Sequence, residues 1–317
     1  MPGSGGALLP NGLVVIANPR AANGKAARVI ARLAPRLPAH TLLHTESPGH
    51  ATELAAEMLH QGAHTIVAAG GDGTIHEVVN GFFDAGAPIA PDARLAIIPC
   101  GTGSDFRRGA HIPADPEAAA GLVSNGVAKP IDALRVTYTT ASEEQRTEYA
   151  INVVSFGLGA EATARANRMS KALGGRLTYA LAALMSAAQF ECPAVEIRID
   201  GHADFQGRML QVAAGNGRFH GGGMEICPQA AMDDGWIDVT RIGPLGMGGI
   251  LRNLPLLYRG RILTLRATSS CRAKSVTASS RERVLVELDG ETRGMLPIEI
   301  AILPAALNLL IPRQLTE

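Results

Sequence analysis

The sequence predicts a chain in two parts, an open parallel α/β sheet followed by an all-β module. Three observations lead there. Strand-like and helix-like segments alternate through the first third, the texture turns to strand after strand from Lys129 onward, and 317 residues exceed the roughly 100–200 typical of one domain. Hydrophobic residues make up 46% and charged residues 18%, the balance of an ordinary folded chain.

The β-branched apolar run Leu13 to Ala17 predicts a buried strand, and Gly24 to Leu37 places Ala27, Ile30, Ala31 and Leu33 at helical spacing. A second strand, Thr41 to His44, leads to a helix with Ala51, Leu54, Ala55, Met58 and Leu59 on one face. Thr65 to Ala69 is a third strand, and the Gly70 to Gly73 turn opens a helix that ends near Asn80-Gly81, where Gly81 supplies a left-handed cap. Leu95 to Ile98 is a fourth strand. Strands alternating with helices of this length imply parallel pairing with right-handed crossovers. Beyond Lys129, strands are predicted at Ile131 to Tyr138, Tyr149 to Ser155, Val195 to Asp200, Arg208 to Ala214, Trp236 to Ile242, Ile262 to Ala267 and Arg283 to Leu288. Helical segments interrupt them at Ala160 to Ser170, Arg176 to Phe190 and Gly246 to Tyr258.

Composition excludes several classes. Lys plus Arg and Asp plus Glu both number 29, so no net field draws in nucleic acid, and no nucleic-acid partner is expected. The opening MPGSGGALLPNG lacks the charged and apolar regions of a secretory signal and reads as a frayed start. The longest apolar stretch, Leu296 to Ile311, is interrupted by Pro297, Glu299 and Pro304, whereas a membrane span needs about 20 mostly apolar residues. Cys100, Cys192, Cys227 and Cys271 form no CxxC pair and read as reduced packing residues in a cytoplasmic protein. The histidines show no HxxxH or HxH spacing, so His76 and His220 are assigned no metal.

The chemistry concentrates in loops. In TIVAAGGDGTIHEVVNG, Thr65 to Gly81, a buried strand runs through glycines around Asp72 into a helix, a geometry that points backbone N–H groups and a positive helix end at an anion. Asp72 can cap that helix or approach a phosphate-bridging magnesium ion. The plainer alternative is a tight turn with a capping aspartate. NPRAANGKAAR, Asn18 to Arg28, also follows a strand and is no Walker A loop. PCGTGSDFRRG, Pro99 to Gly109, follows the fourth strand. Ligands of open α/β sheets sit at the carboxyl ends of strands, so a phosphate site explains all three. In VELDGE, a strand end followed by Asp289-Gly290-Glu291 offers two carboxylates as proton acceptors for an alcohol, although D-G is also a common hairpin turn.

Together these segments resemble the bacterial diacylglycerol kinase family, relatives of sphingosine and ceramide kinases. GGDGTIHEVVNG matches the family's nucleotide block, and NPRAANGKA, IPCGTGSDF, VSFGLGAE, GNGRFHGGGMEICPQAAMDDGWIDV and VELDGE follow in family order over nearly the whole chain. The resemblance implies a nucleotide domain at 1–128, a larger β-sandwich lipid domain at 129–304, and a segment 305–317 returning to the first, with ATP in the cleft between. By position, Asn18, Asn23, Gly24, Lys25, Gly70, Gly71, Asp72, Gly73, Thr74, Glu77, Thr102 and Ser104 would surround the nucleotide. Asp72, Asp105 and Asp132 would hold catalytic Mg2+ through water, and Asp289, with Glu291 beside it, would be the base. Ser104 stands where the family carries Asn, and Arg107 where a small residue is common.

The resemblance further implies a structural metal on the Asp234 carboxylate and the carbonyls of Ala231 and Trp236, with an Asp-Gly turn as the alternative. It implies a lipid substrate met at a membrane surface by peripheral contact with the inner face. The Tyr179 to Phe190 run could line an apolar lipid pocket, though such a run is more often core. Oligomeric state stays open, a homodimer included. NAD kinase shares a GGDGT turn but would be expected to carry a block like NxGxLGFL where this chain has GTGSDF. A non-catalytic lipid or nucleotide sensor would have no use for Asp289 and Glu291.

Overall fold

The structure is a computed structural model that describes residues 12–101, 105–169 and 175–313. The chain divides into two compact units, Met1–Ile131 with Ala305–Glu317, and Asp132–Pro304.

In the first unit, β1 (Leu13–Ala17), α1 (Lys25–Leu33), β2 (Thr41–His44), α2 (His50–His60), β3 (Thr65–Gly70) and α3 (Asp72–Asn80) alternate along the chain. A short hairpin of β4 (Phe83–Asp84) and β5 (Ala87–Pro88) precedes β6 (Arg94–Pro99), α4 (Asp105–Gly109) and α5 (Pro116–Asn125). The parallel order is β2-β1-β3-β6, with Val14 opposite both Thr41 and Ile66, and Ile66 opposite Leu95. Every residue of β1 and β3 is buried, the signature of parallel strands covered on both faces. Val15, Val67, Ala96 and Ile98 pack with Ala26, Ile30 and Leu33 of α1. Asn308 and Leu309 add a further parallel strand beside Arg94 and Leu95.

The second unit takes most of β7 (Val127–Thr139), then β8 (Gln145–Ala150), β9 (Val153–Gly157), α6 (Leu158–Arg168), α7 (Gly175–Gln189), β10 (Ala194–Ile199), β11 (His202–Arg208) and β12 (Gln211–Gly215). The short pair β13 (Phe219–His220) and β14 (Met224–Glu225) is followed by β15 (Ile237–Ile242), α8 (Met247–Tyr258), β16 (Thr268–Ala273), β17 (Ser275–Ser279), β18 (Leu285–Leu288) and β19 (Glu291–Ile311). One antiparallel layer runs β16-β15-β12-β9-β18-β19, and a second runs β11-β10-β17-β19. Between the layers pack Val154, Phe156, Val212, Ile237 and Val286 from one side and Val195, Ile197, Val276 and Ile298 from the other, a sandwich core. β10 alternates buried and exposed residues, while β9, β12 and β18 are buried throughout. Their outer faces are covered by a second cluster in which Val153, Leu210, Ala213 and Ile226 meet Leu158 of α6 and Ile250 and Leu257 of α8.

Several expectations need correction. Gly81 is right-handed at φ −72, and glycine is required instead by close approach, since a Cβ would lie 2.5 Å from the Thr52 carbonyl oxygen and 2.6 Å from Ala55 Cβ. The strand expected at Ile262 to Ala267 is a 3-10 turn at Ile262–Thr264, with the strand beginning at Thr268. Tyr149 to Ser155 is two strands broken at Ile151-Asn152. Arg208 to Ala214 spans the end of β11 and most of β12. The interrupted apolar stretch from Leu296 is the greater part of β19, and α5 was not anticipated.

Candidate active site

On the first unit, three loops converge at the carboxyl edge of adjacent parallel strands. Asn18 leaves β1 with its N–H on the Ala69 carbonyl at 3.0 Å, and its Nδ2 donates to Thr74 Oγ1 at 3.2 Å. The N–H of Cys100, just past β6, donates to the Gly70 carbonyl at 2.8 Å. A Cβ at Gly70 would overlap the Thr74 side chain, so packing explains that glycine. Gly71 is different: its extended φ of −96 suits any residue, and a Cβ would meet only Gly101 Cα at 3.8 Å, an ordinary contact. Gly71 is the N-cap of α3 and offers no side chain to cap it, so Asp72 is the first residue of the helix and not its cap. The helix therefore turns a positive end toward this edge.

Asp105 starts α4, and both it and Asp72 act electrostatically on Arg107. Burial, and then Arg108, lower the Arg107 pKa from its ordinary value, while Asp72 and Asp105 oppose the shift. The two carboxylates thus share one neighbourhood, and an oxygen-only donor set fits a hard cation such as magnesium. Gly24 is the left-handed N-cap of α1, with Lys25 exposed beside it. Glu77 has a structural task, accepting from the Ala51 N–H at 3.3 Å in the first turn of α2. Thr102, Ser104 and the Asn23 side chain lie outside the described residues.

On the second unit, Asp289 and Gly290 are the two turn residues between β18 and β19, at φ +49 and +91, with Leu288 opposite Glu291. Positive φ at both positions is the geometry of a two-residue hairpin, so the turn reading of D-G holds as conformation. The side chain does more. Its Oδ2 accepts from the Ile151 N–H at 3.0 Å, and Oδ1 accepts from Asn152 and Val153 at 2.9 and 3.1 Å. The break between β8 and β9 is thus where three backbone amides turn to grip one carboxylate. Glu291 is half-buried at the start of β19.

Two residues before Asp289, Glu287 is fully buried in β18 and lies 3.5 Å from His220 Nδ1. Burial raises its pKa, opposed by His220 and by hydrogen bonds from Thr163 and Ser155, with Glu291 raising it further. Sequence reading passed over this cluster, although a glutamate inside the apolar run Val284 to Leu288 was a visible signal.

Asp132, also in the second unit, accepts from the Gly235 N–H at 2.7 Å, which brings it beside the turn where a structural metal was expected. At that turn Asp234 Oδ1 accepts from the Trp236 N–H at 3.0 Å, and its Oδ2 lies 3.4 Å from Arg272. Lys274 Nζ donates to the Gly235 carbonyl and sits 3.6 Å from the centre of the Trp236 ring. Arg272 already pairs with Asp234 and Lys274 is held on the adjacent Gly235 carbonyl, so a divalent ion at this turn would meet the repulsion of two cations. These residues do not fit the structural metal. Among the described residues, no group of three or more His, Cys, Asp or Glu side chains is arranged to hold a metal.

Residues 12–136 match the model of the diacylglycerol kinase catalytic domain, and residues 152–311 match the YegS C-terminal NAD kinase beta sandwich-like domain. The chain belongs to the diacylglycerol kinase family of lipid kinases. A relative in Xanthomonas oryzae named "Probable lipid kinase YegS-like" is 31% identical over 84% of this chain and 85% of its own. A Bacillus subtilis protein named diacylglycerol kinase is 32% identical over 86% of each chain. The crystal structure of a provisionally assigned diacylglycerol kinase from Bacillus anthracis superposes with a TM-score of 0.74 at 25% identity, covering 96% of this chain and 98% of that one. As a lipid kinase, the protein is a phosphotransferase. No described helix is long and apolar enough to cross a membrane.

Proposed function

We propose that this lipid kinase transfers the γ-phosphoryl group of ATP to the hydroxyl of a membrane lipid, with diacylglycerol the first acceptor to test. The observation that carries the nucleotide half is the N-terminus of α3, which begins at a glycine cap that the fold itself does not require and is flanked by Asn18. Backbone N–H groups at such an end suit phosphate oxygens. Asn18, the Asn23-Gly24-Lys25 turn, Gly70 to Thr74, Thr102 and Ser104 would surround the phosphates. Asp72 and Asp105 would hold magnesium with water and phosphate oxygens filling the shell, as this ion prefers. Bound magnesium supplies charge neutralisation on the transferring group.

The second unit contributes the proton acceptor. Three amides fix the Asp289 carboxylate in one orientation, and Glu291 stands beside it, so a lipid hydroxyl presented there would surrender its proton as the phosphoryl group arrives. A second reading has its own support. A carboxylate offers about four acceptor sites, and three amide bonds suit an anchor as well as a base, which would leave Glu291 as the acceptor.

The test is incubation with γ-labelled ATP and a panel of diacylglycerol, ceramide, sphingoid base, phosphatidylglycerol and NAD, followed by extraction and mass spectrometry. A labelled lipid is expected. Labelled NADP would support an NAD kinase, and nucleotide binding without product would support a sensor.

A further inference from the structure

α7 is built the wrong way round for a helix on a soluble protein. The side facing the fold carries Thr178, Ala182 and Ser186, which are 2%, 0% and 4% exposed. Polar bonds hold that side down: Arg165 of α6 donates from Nε to Ser186 Oγ at 3.0 Å and from Nη2 to Gln189 Oε1 at 3.1 Å. The outward side carries Leu181, Leu184 and Met185, which are 39%, 45% and 44% exposed, with Ala188 continuing the stripe. Spacings of three and four residues put these on one face.

α8, which touches α7, repeats the pattern. Its Ile250 and Leu257 pack inward, while Leu251, Leu254 and Tyr258 are 50%, 37% and 52% exposed. Together with the α7 side chains these are the exposed large hydrophobics of the described residues, and they all fall on two neighbouring helices of the second unit.

Charge along the two helical segments is predominantly positive. From Ala162 to Phe190 the chain carries Arg165, Arg168, Lys171 and Arg176 and no Asp or Glu; from Ile242 to Ala267 it carries Arg252, Arg259, Arg261 and Arg266 and again no Asp or Glu. The rest of the chain carries the compensating excess of acid, since each sign totals 29. Arg252, Arg259, Arg261 and Arg266 are all exposed. Apolar stripes bordered mainly by cations, with Glu191 after α7 and Glu225 beside Gly260 as the nearby acids, match an interface between acyl chains and anionic headgroups. A second copy of the chain would bring the same cations against themselves.

We infer that the outward face of α7 and α8 docks this enzyme on an anionic bilayer. The inference deepens the lipid-kinase reading and rests on it for its purpose, because a kinase acting on a membrane lipid must reach an acceptor that does not leave the bilayer. The contact is an interfacial one, with Leu181, Leu184, Met185, Leu251 and Leu254 entering the headgroup boundary.

The test is sedimentation of the full chain with vesicles of phosphatidylcholine alone or mixed with phosphatidylglycerol, without nucleotide. Wild type should bind the mixed vesicles and release as salt rises. Leu184→Asp with Leu254→Asp should lower partitioning at least tenfold, and Arg252→Glu with Arg259→Glu should weaken it on the order of fivefold per arginine. Both double variants should keep wild-type turnover on a short-chain lipid dispersed in detergent, which separates docking from chemistry and shows that they fold. Equal binding to both vesicle types, or undiminished binding by the leucine variant, would overturn the inference. So would a wild-type dimer in solution that the leucine variant dissociates. Vesicle binding without phosphorylation of any lipid would instead overturn the kinase reading and leave the docking face standing.

Discussion

At Asp289 a left-handed backbone, a hairpin turn and three amide donors meet in one residue. Asp289→Asn replaces one acceptor oxygen with a donor facing an amide, so a destabilisation of about 1–3 kcal/mol is expected, or roughly 2–4 °C of melting temperature for each kcal/mol. Turnover should fall about 10²–10⁴-fold if the carboxylate takes the proton. Glu291→Gln separates the two readings. A larger loss of turnover there than in Asp289→Asn, with unchanged melting, would make Asp289 the anchor and Glu291 the base. Glu287 gives a pH test. Its folded pKa is raised by burial, so its contribution to stability is present below the ordinary glutamate value of 4.5 and is lost as pH rises through the folded value. The melting temperature of Glu287→Gln minus that of wild type should therefore climb from about pH 4.5 upward. A flat difference would contradict the assignment. Asp289 and Gly290 were legible in the sequence as a turn because D-G between strands has fixed conformational chemistry. The pairing of His220 with Glu287 was not, since the fold joins residues far apart along the chain and no spacing rule marks the pair.

At the scale of elements, the turn at Asp234 shows why a shared motif does not guarantee a shared ligand. PQAAMDDGWID is intact, yet Lys274 and Arg272 arrive from a different stretch of chain and supply the positive charge themselves. Chelation of divalent ions should leave the wild-type melting temperature unchanged in the absence of nucleotide. Lys274→Met should lower it by several degrees, on the order of 1–3 kcal/mol of lost charge-assisted hydrogen bonding, and magnesium should then restore part of the loss. A wild-type protein stabilised by magnesium alone would contradict this. Gly81→Ala, which forces a methyl group against the backbone of α2, should cost about 1–3 kcal/mol by thermal melting. Period and turn residues made β1, β3 and α3 readable, since buried parallel strands are unbroken apolar runs bounded by turn residues. The run in α7 was ambiguous because Ala and Leu at helical spacing look alike whether the face they share meets a core or a solvent boundary. β19 was obscured by prolines that a long strand accommodates.

At the scale of the whole molecule, the proposal divides the chemistry between two units, assigning phosphate binding to a parallel sheet edge and proton acceptance to a sandwich hairpin. The α/β and all-β halves were legible because parallel strands and alternating strands write different patterns. The proposed division predicts separable defects: Asp72→Asn should weaken magnesium-dependent ATP binding in calorimetry, while Glu291→Gln should leave it intact. The most direct measurement is transfer of label from ATP to dispersed diacylglycerol by the wild-type chain, run in parallel with ATP labelled at the α and at the γ phosphate. Label is expected on the lipid from the γ position alone, and abolished by Asp72→Asn. A lipid that gains no label from either, beside a chain that binds ATP and diacylglycerol normally, would contradict it.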